Sequence, residues 1–155
     1  MPDMLVKLYQ LPDFHEDIKE LSEREIKIRR PIPPEKHLVV EWVRENFGSK
    51  WASECSVAFS KKPVSCFVAL RKKEILGFAC YDTTCRDFFG PTGVLEKERG
   101  QSIGKFLLLK SLKAMREMGY AYAIIGGAGP VDYYKKVCGA EVIEGSEKGI
   151  YGDML

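Results

Sequence analysis

Twelve consecutive residues carry the strongest chemical signal in this chain: Val94-Leu95-Glu96-Lys97-Glu98-Arg99-Gly100-Gln101-Ser102-Ile103-Gly104-Lys105. An apolar pair, a charged run and two glycines precede the clearest amphipathic stretch of the sequence. That order predicts a strand end, a turn and a helix start. Such a turn aims several backbone N–H groups and the positive end of the helix dipole at one point, which is what a phosphate or pyrophosphate needs. Charge agrees, because residues 96 to 116 hold six basic side chains and two acidic ones in a chain of net charge +2.

Three types of anion loop compete for this segment. A Walker loop needs four residues between its glycines and a Ser or Thr after the Lys; here three residues separate Gly100 from Gly104, and Phe106 follows Lys105. A dinucleotide fingerprint needs Gly-x-Gly-x-x-Gly after a first strand, which neither this turn nor Gly126-Gly127-Ala128-Gly129 supplies. The third type fits. Arg99 to Gly104 resembles the Arg/Gln-x-x-Gly-x-Gly/Ala pyrophosphate loop of the GNAT N-acetyltransferases, with hydrophobic Val94 five residues before the Arg as in that family. Downstream, Asp132-Tyr133-Tyr134-Lys135-Lys136-Val137-Cys138-Gly139-Ala140 is similar to the family's aromatic-Tyr-Glu-Lys-x-Gly-Phe segment, one helix and one strand later. The motif-level resemblance covers Phe88 to Ala140; the first 60 residues match in element order.

The resemblance implies that acetyl-CoA lies where two neighbouring parallel strands, ending near Val94 and Ile125, splay apart. Backbone groups of Gly93, Val94 and Leu95 would hold the pantetheine arm. Arg99, Gly100, Gln101, Ser102, Ile103, Gly104 and Lys105 would hold the pyrophosphate. Tyr134 would serve both as a cofactor contact and as the general acid toward the departing thiolate. The chemistry is sound, since a thiolate leaves poorly without a proton donor. Five residues depart from the pattern: Ser102 and Gly127 replace a usual Gly and Asn, Lys135 an acidic residue, Ala140 a Phe, and Glu96 a Pro. No metal is implied.

The base is not evident. His15 and His37 lie outside the matched segment and read as surface residues. Because the family can use a carboxylate to deprotonate the acceptor amine, Asp82 and Glu96 are the candidates. Tyr133 reads as core, and Trp42, Trp51 and Phe47 as anchors of the N-terminal helices on the sheet. Of the five cysteines, 55, 66, 80, 85 and 138, none forms a Cys-x-x-Cys pair, so neither a disulfide framework nor a zinc site is expected. Cys66 and Cys80 lie symmetrically about Lys73 on two predicted strands and should face each other.

These groups must be positioned by a scaffold. Strands are expected over Met4–Leu11, Ser65–Arg71, Glu74–Asp82, an irregular Phe88–Leu95, and Tyr120–Ile125, with a closing pair over Ala140–Glu144 and Gly149–Met154. Helices are expected from Asp13 to about Glu25, over Glu35–Phe47, Lys50 to about Ser60, Ile103–Met118 and Val131–Val137. The alternation gives an α/β fold with a mixed, mostly antiparallel central sheet of six to seven strands flanked by helices, as the resemblance also implies.

Composition bounds the rest. With 155 residues, 45% hydrophobic and 30% charged, the chain suits one globular domain, 1–155, and excludes a disordered or fibrous protein. A charge of +2 argues against a nucleic-acid partner, and the longest apolar runs fall far below the roughly 18 residues of a membrane span. Lacking a signal-type apolar core near its N-terminus, the chain is expected to be cytoplasmic. The reading is an acetyl-CoA-dependent N-acetyltransferase acting on a small-molecule or peptide amine, with a homodimer allowed for. Its rival is a non-catalytic acyl-CoA binding module.

Overall fold

The computed structural model describes all 155 residues. Strand β1 (Met4–Lys7) opens the chain. A 3-10 turn at Asp17–Lys19 and a single α-turn, α1 (Glu20–Glu23), follow, and β2 (Ile26–Arg29) comes next. Helices α2 (Lys36–Phe47) and α3 (Ser49–Ala58) meet at Gly48, whose φ of +98° makes the corner. Then come β3 (Cys66–Arg71), β4 (Glu74–Tyr81), β5 (Phe88–Val94), α4 (Ile103–Glu117), β6 (Tyr122–Ile125), α5 (Val131–Cys138) and β7 (Glu141–Val142).

The seven strands form one mixed sheet in the order β2-β3-β4-β5-β6-β1-β7. All neighbours are antiparallel except β5 and β6. Strand periodicity sorts the side chains to two faces. Phe67 and Ala69 join the larger core with Phe106, Leu109 and Leu112 of α4, while Cys66, Val68, Phe78 and Cys80 join Val39, Val43, Cys55 and Ala58 beneath α2 and α3. As expected, Cys66 lies opposite Cys80 in the β3–β4 register.

Two expectations are corrected. The first helix shrinks to one turn, because Ile26 and Ile28, alternating with Lys27 and Arg29, pair along β3 as a strand. The closing strand pair does not form. Residues 149–151 make a 3-10 turn, and the two-residue β7 pairs with β1 instead. The cause lies at both ends of the chain: Met4 is fully buried between β6 and β7, whereas Gly149, Gly152 and Asp153 are poor strand formers. No helix is long and apolar enough to cross a membrane.

The parallel pair positions the site. β5 and β6 pair at Phe88–Ile124 and Phe89–Ile125. Beyond that point β5 continues along β4 to Val94 while the other chain segment turns away at Gly126, so the sheet opens into a V. The irregularity expected of β5 is present, with Gly90 at φ +119° and a register shift between Ala79 and Tyr81.

Candidate active site

A cleft of about 1900 Å³ fills the V. Its walls are β5, the start of α4, the turn after β6, α5, the first turns of α3, and the C-terminal segment around Tyr151. Gly93, Val94, Arg99, Gly100, Ser102, Ile103, Gly104, Lys105 and Tyr134 line it. Leu95 and Gln101 do not. The Leu95 N–H is taken by the Leu76 carbonyl at 2.9 Å, which by strand alternation turns the Val94 peptide groups toward the splay. Gln101 turns the other way, its side chain donating to the Glu98 carboxylate at 2.7 Å while its carbonyl accepts from Arg24. Arg71 completes that knot at 2.9 Å from Glu98 and holds the Glu98 carboxyl below its usual range. These contacts brace the loop from behind.

The loop itself has an unusual backbone. Gly100 has φ +85° and Ser102 φ +65°, both left-handed, and Ser102 is the N-cap of α4. The conformation explains why a glycine suits this position, since a Cβ there costs about 1–2 kcal/mol. The backbone N–H groups of residues 100 to 105 donate to no carbonyl or side chain, so six consecutive donors surround the positive end of a 15-residue helix. Gly93 is required for a different reason. A Cβ on it would lie 2.5 Å from the Phe47 ring, so the α2 aromatic can close over β5 only because the side chain is absent.

Tyr134 is 7% exposed, yet its hydroxyl has no protein partner and is not among the buried unpaired atoms, so it opens on the cleft. Burial, with lesser effects from Tyr133 and Cys138, pushes its pKa up to about 12, which keeps the phenol protonated. Tyr133 is no core residue. It is 37% exposed, lines the cleft, and sets its hydroxyl 3.8 Å from the point where a Cβ on Gly104 would sit. At i and i+1 of a short helix the two tyrosines cannot both face inward, and Tyr134 takes the buried side.

Neither carboxylate offered as a base reaches the cleft. Asp82 is buried in a loop, accepting the Tyr120 hydroxyl at 3.0 Å and the Asp87 N–H at 2.6 Å, and Glu96 is exposed beyond the end of β5. Glu54 does line it. This residue, one turn after Trp51 on α3, accepts a hydrogen bond from the Thr84 hydroxyl, and Tyr151 stands beside the same threonine. Local sequence gave no signal for Glu54 beyond its i,i+3 spacing from an aromatic residue, because the packing of α3 on β4 decides where that face points. Trp51 stacks on Phe47 at 5.5 Å and meets Phe78 at 6.2 Å, the anchoring role expected, and also shows one side to the cleft. His15 and His37 are exposed. The cleft thus combines an N–H cradle, a protonated phenol and a carboxylate among hydroxyls.

The sheet order, the V and the loop define an acyl-CoA N-acyltransferase type of fold. The sequence model of the acetyltransferase (GNAT) family matches residues 27–140, and the chain belongs to that family. Among solved structures, the fold is similar to a GCN5-related glucosamine N-acetyltransferase region of a fungal multi-domain GH3 beta-N-acetylglucosaminidase, at TM-score 0.75 and 14% identity, covering 92% of this chain and 19% of that one. It is similar to a GCN5-related N-acetyltransferase from Sphaerobacter thermophilus at TM-score 0.68 and 20% identity, covering 92% and 48%. A GNAT family acetyltransferase from Brucella melitensis in complex with acetyl-CoA aligns at TM-score 0.56 and 18% identity, covering 76% and 86%. The chain therefore spans about a fifth of the first protein and about half of the second. No curated protein matches it.

Proposed function

We propose that this chain transfers the acetyl group of acetyl-CoA to a primary amine by direct attack. The observation that carries the reading is the five free N–H groups of Gly100, Ser102, Ile103, Gly104 and Lys105 on the same cleft as the unpartnered Tyr134 phenol. The pyrophosphate occupies the N–H cradle, with Lys105 as a flanking cation, and the pantetheine arm runs along Val94 in the V. The amine nitrogen attacks the thioester carbon and forms the N–C bond; the C–S bond then breaks, and Tyr134 gives its proton to the leaving sulfur. The proton lost by the amine passes to Glu54, directly or through water, and solvent reprotonates Tyr134. The Brucella protein's complex with acetyl-CoA supports the choice of acyl donor.

The part of the cleft around Glu54 suits a small hydroxylated amine. Trp51 offers an aromatic side, Glu54 a charge for the ammonium form, and Thr84 and Tyr151 hydroxyls for polar contacts. An amino sugar has this chemistry, and the fungal region is named for glucosamine. The test pairs binding with turnover. Acetyl-CoA at 100 times its Kd stabilises the fold by about 2.7 kcal/mol, a clear thermal shift. Release of free thiol with glucosamine and a wider amine panel then separates an enzyme from a binding module. Absence of a shift at millimolar acetyl-CoA overturns the donor assignment, and a shift without turnover leaves the binding module.

A further inference from the structure

We propose that Cys55, Cys66 and Cys80 form a buried three-sulfur site for a soft monovalent metal ion, with Cu(I) as its ligand class. The three come from different elements, α3, β3 and β4, and their Sγ atoms lie within 4.8 Å of one another. The fold brings them together by two separate rules. Antiparallel register sets Cys66 against Cys80 on one face of the sheet, and the packing of α3 over that face lowers Cys55 onto the pair.

The donor set selects the metal. Three sulfurs converge where a disulfide would need two. A metal–sulfur bond of about 2.3 Å in a trigonal arrangement places the sulfurs about 4.0 Å apart, so the cluster has only to tighten slightly. No imidazole or carboxylate joins the group, and its surroundings are Val39, Val43, Ala52, Ala58 and Phe78. Zinc takes four ligands in structural sites and would need its fourth from this apolar layer. Cu(I) is soft, favours thiolates and is satisfied by three of them. The sulfurs ligate as thiolates, and their protons pass to solvent as the ion binds. All three cysteines are fully buried, so the ion enters during folding or through local opening of the α2–α3 layer, and uptake by folded protein is slow.

The site is independent of acetyl transfer, and its test needs no turnover. Reduced protein is incubated anaerobically with Cu(I) buffered by bicinchoninate, both as folded chain and during refolding, and then desalted. The expected result is one copper per chain, a sulfur-to-copper charge-transfer band in the near ultraviolet and a raised Tm. Cys55→Ala, Cys66→Ala and Cys80→Ala should each lower retained copper at least tenfold. Cys85 is exposed and Cys138 lies in the other core, so Cys85→Ser with Cys138→Ser should retain the full equivalent. That double variant leaves the three-sulfur layer untouched and keeps the test decisive where an alanine variant fails to fold. No uptake by the parent, retention unchanged in the alanine variants, or loss of copper in the double variant each overturns the proposal.

Discussion

The Asp3 carboxylate accepts the backbone N–H of Gly127 at 2.8 Å, joining the start of β1 to the turn that leaves β6. The same residue accepts the Ile143 N–H on its carbonyl and donates its own N–H to Ser146 Oγ at 2.8 Å. Gly149 packs against its carboxylate, so Asp3 fixes two walls of the cleft at once, the turn after β6 and the C-terminal segment bearing Tyr151.

Asp3→Ala should therefore do more than loosen the N-terminus. Asp3 is 9% exposed, and removing its carboxylate leaves the Gly127 N–H without its partner, a cost of about 1–3 kcal/mol. Thermal denaturation should show the lowered Tm. With a responsive amine, the acceptor KM should rise while the acetyl-CoA Kd stays within about twofold, because the N–H cradle lies in the loop and first turn of α4. Asp3→Asn keeps an acceptor oxygen and should lose less than half as much stability. Equal losses in the two variants would show that the Gly127 contact contributes nothing.

Ser102 gives a prediction of opposite sign. At φ +65° a serine carries strain that glycine does not, partly offset by glycine's greater freedom in the unfolded chain. Ser102→Gly should stabilise the protein by about 1 kcal/mol and leave acetyl-CoA affinity equal or tighter. Ser102→Leu keeps the strain and places a bulky group among the free N–H donors, so binding by calorimetry should fall below detection. Unchanged affinity in the Leu variant would move the cofactor elsewhere.

The region around this loop was the most legible part of the sequence. Glycines, a charge cluster and the 3.6-residue period of α4 are local features, and they fixed the β5–turn–α4 unit to within a residue or two. Ser102 looked like a departure from a motif; the backbone shows the left-handed position that the motif's glycine serves. What local pattern did not reveal depends on distant packing. β2 is four residues long and half charged, so its strand character appears only beside β3. Glu54 reaches the cleft because Trp51 and Phe47 lock the α2–α3 corner onto Phe78. The third sulfur, Cys55, joins Cys66 and Cys80 by the same packing.

The loop between β4 and β5 makes stability depend on pH. Burial, then the neighbouring Asp82 charge, raises the Asp87 carboxyl from 3.8 to about 6, and its Oδ1 is buried without a partner. Because the folded state holds this proton more tightly than the unfolded chain, the group's favourable contribution is complete below pH 3.8 and is lost as pH rises to about 6. Asp87→Asn should accordingly raise stability at pH 7 by about 1 kcal/mol, after allowance for solvent screening of a partly exposed carboxyl, and by little at pH 4. Denaturant titrations of both proteins at the two pH values provide the check. A gain of equal size at both would assign the effect to packing rather than to charge.

Tyr134→Phe tests the chemical step itself. The substitution removes one oxygen and keeps a ring that is 7% exposed in the core between α5 and the sheet, so the fold should survive. Losing a general acid lowers kcat by about 10² to 10⁴, with acetyl-CoA affinity nearly unchanged. Tyr133→Phe is the informative control. Its hydroxyl lies beside Gly104 rather than deep in the cleft, and its removal should weaken acetyl-CoA binding a fewfold while sparing kcat. Glu54→Gln should lower kcat/KM most at neutral pH and progressively less as the pH approaches the amine's own pKa, where the acceptor no longer needs help to lose its proton. If Tyr134→Phe turns over as fast as the parent while Tyr133→Phe is slow, the acid is Tyr133, and the proton comes from the helix-start side of the cleft.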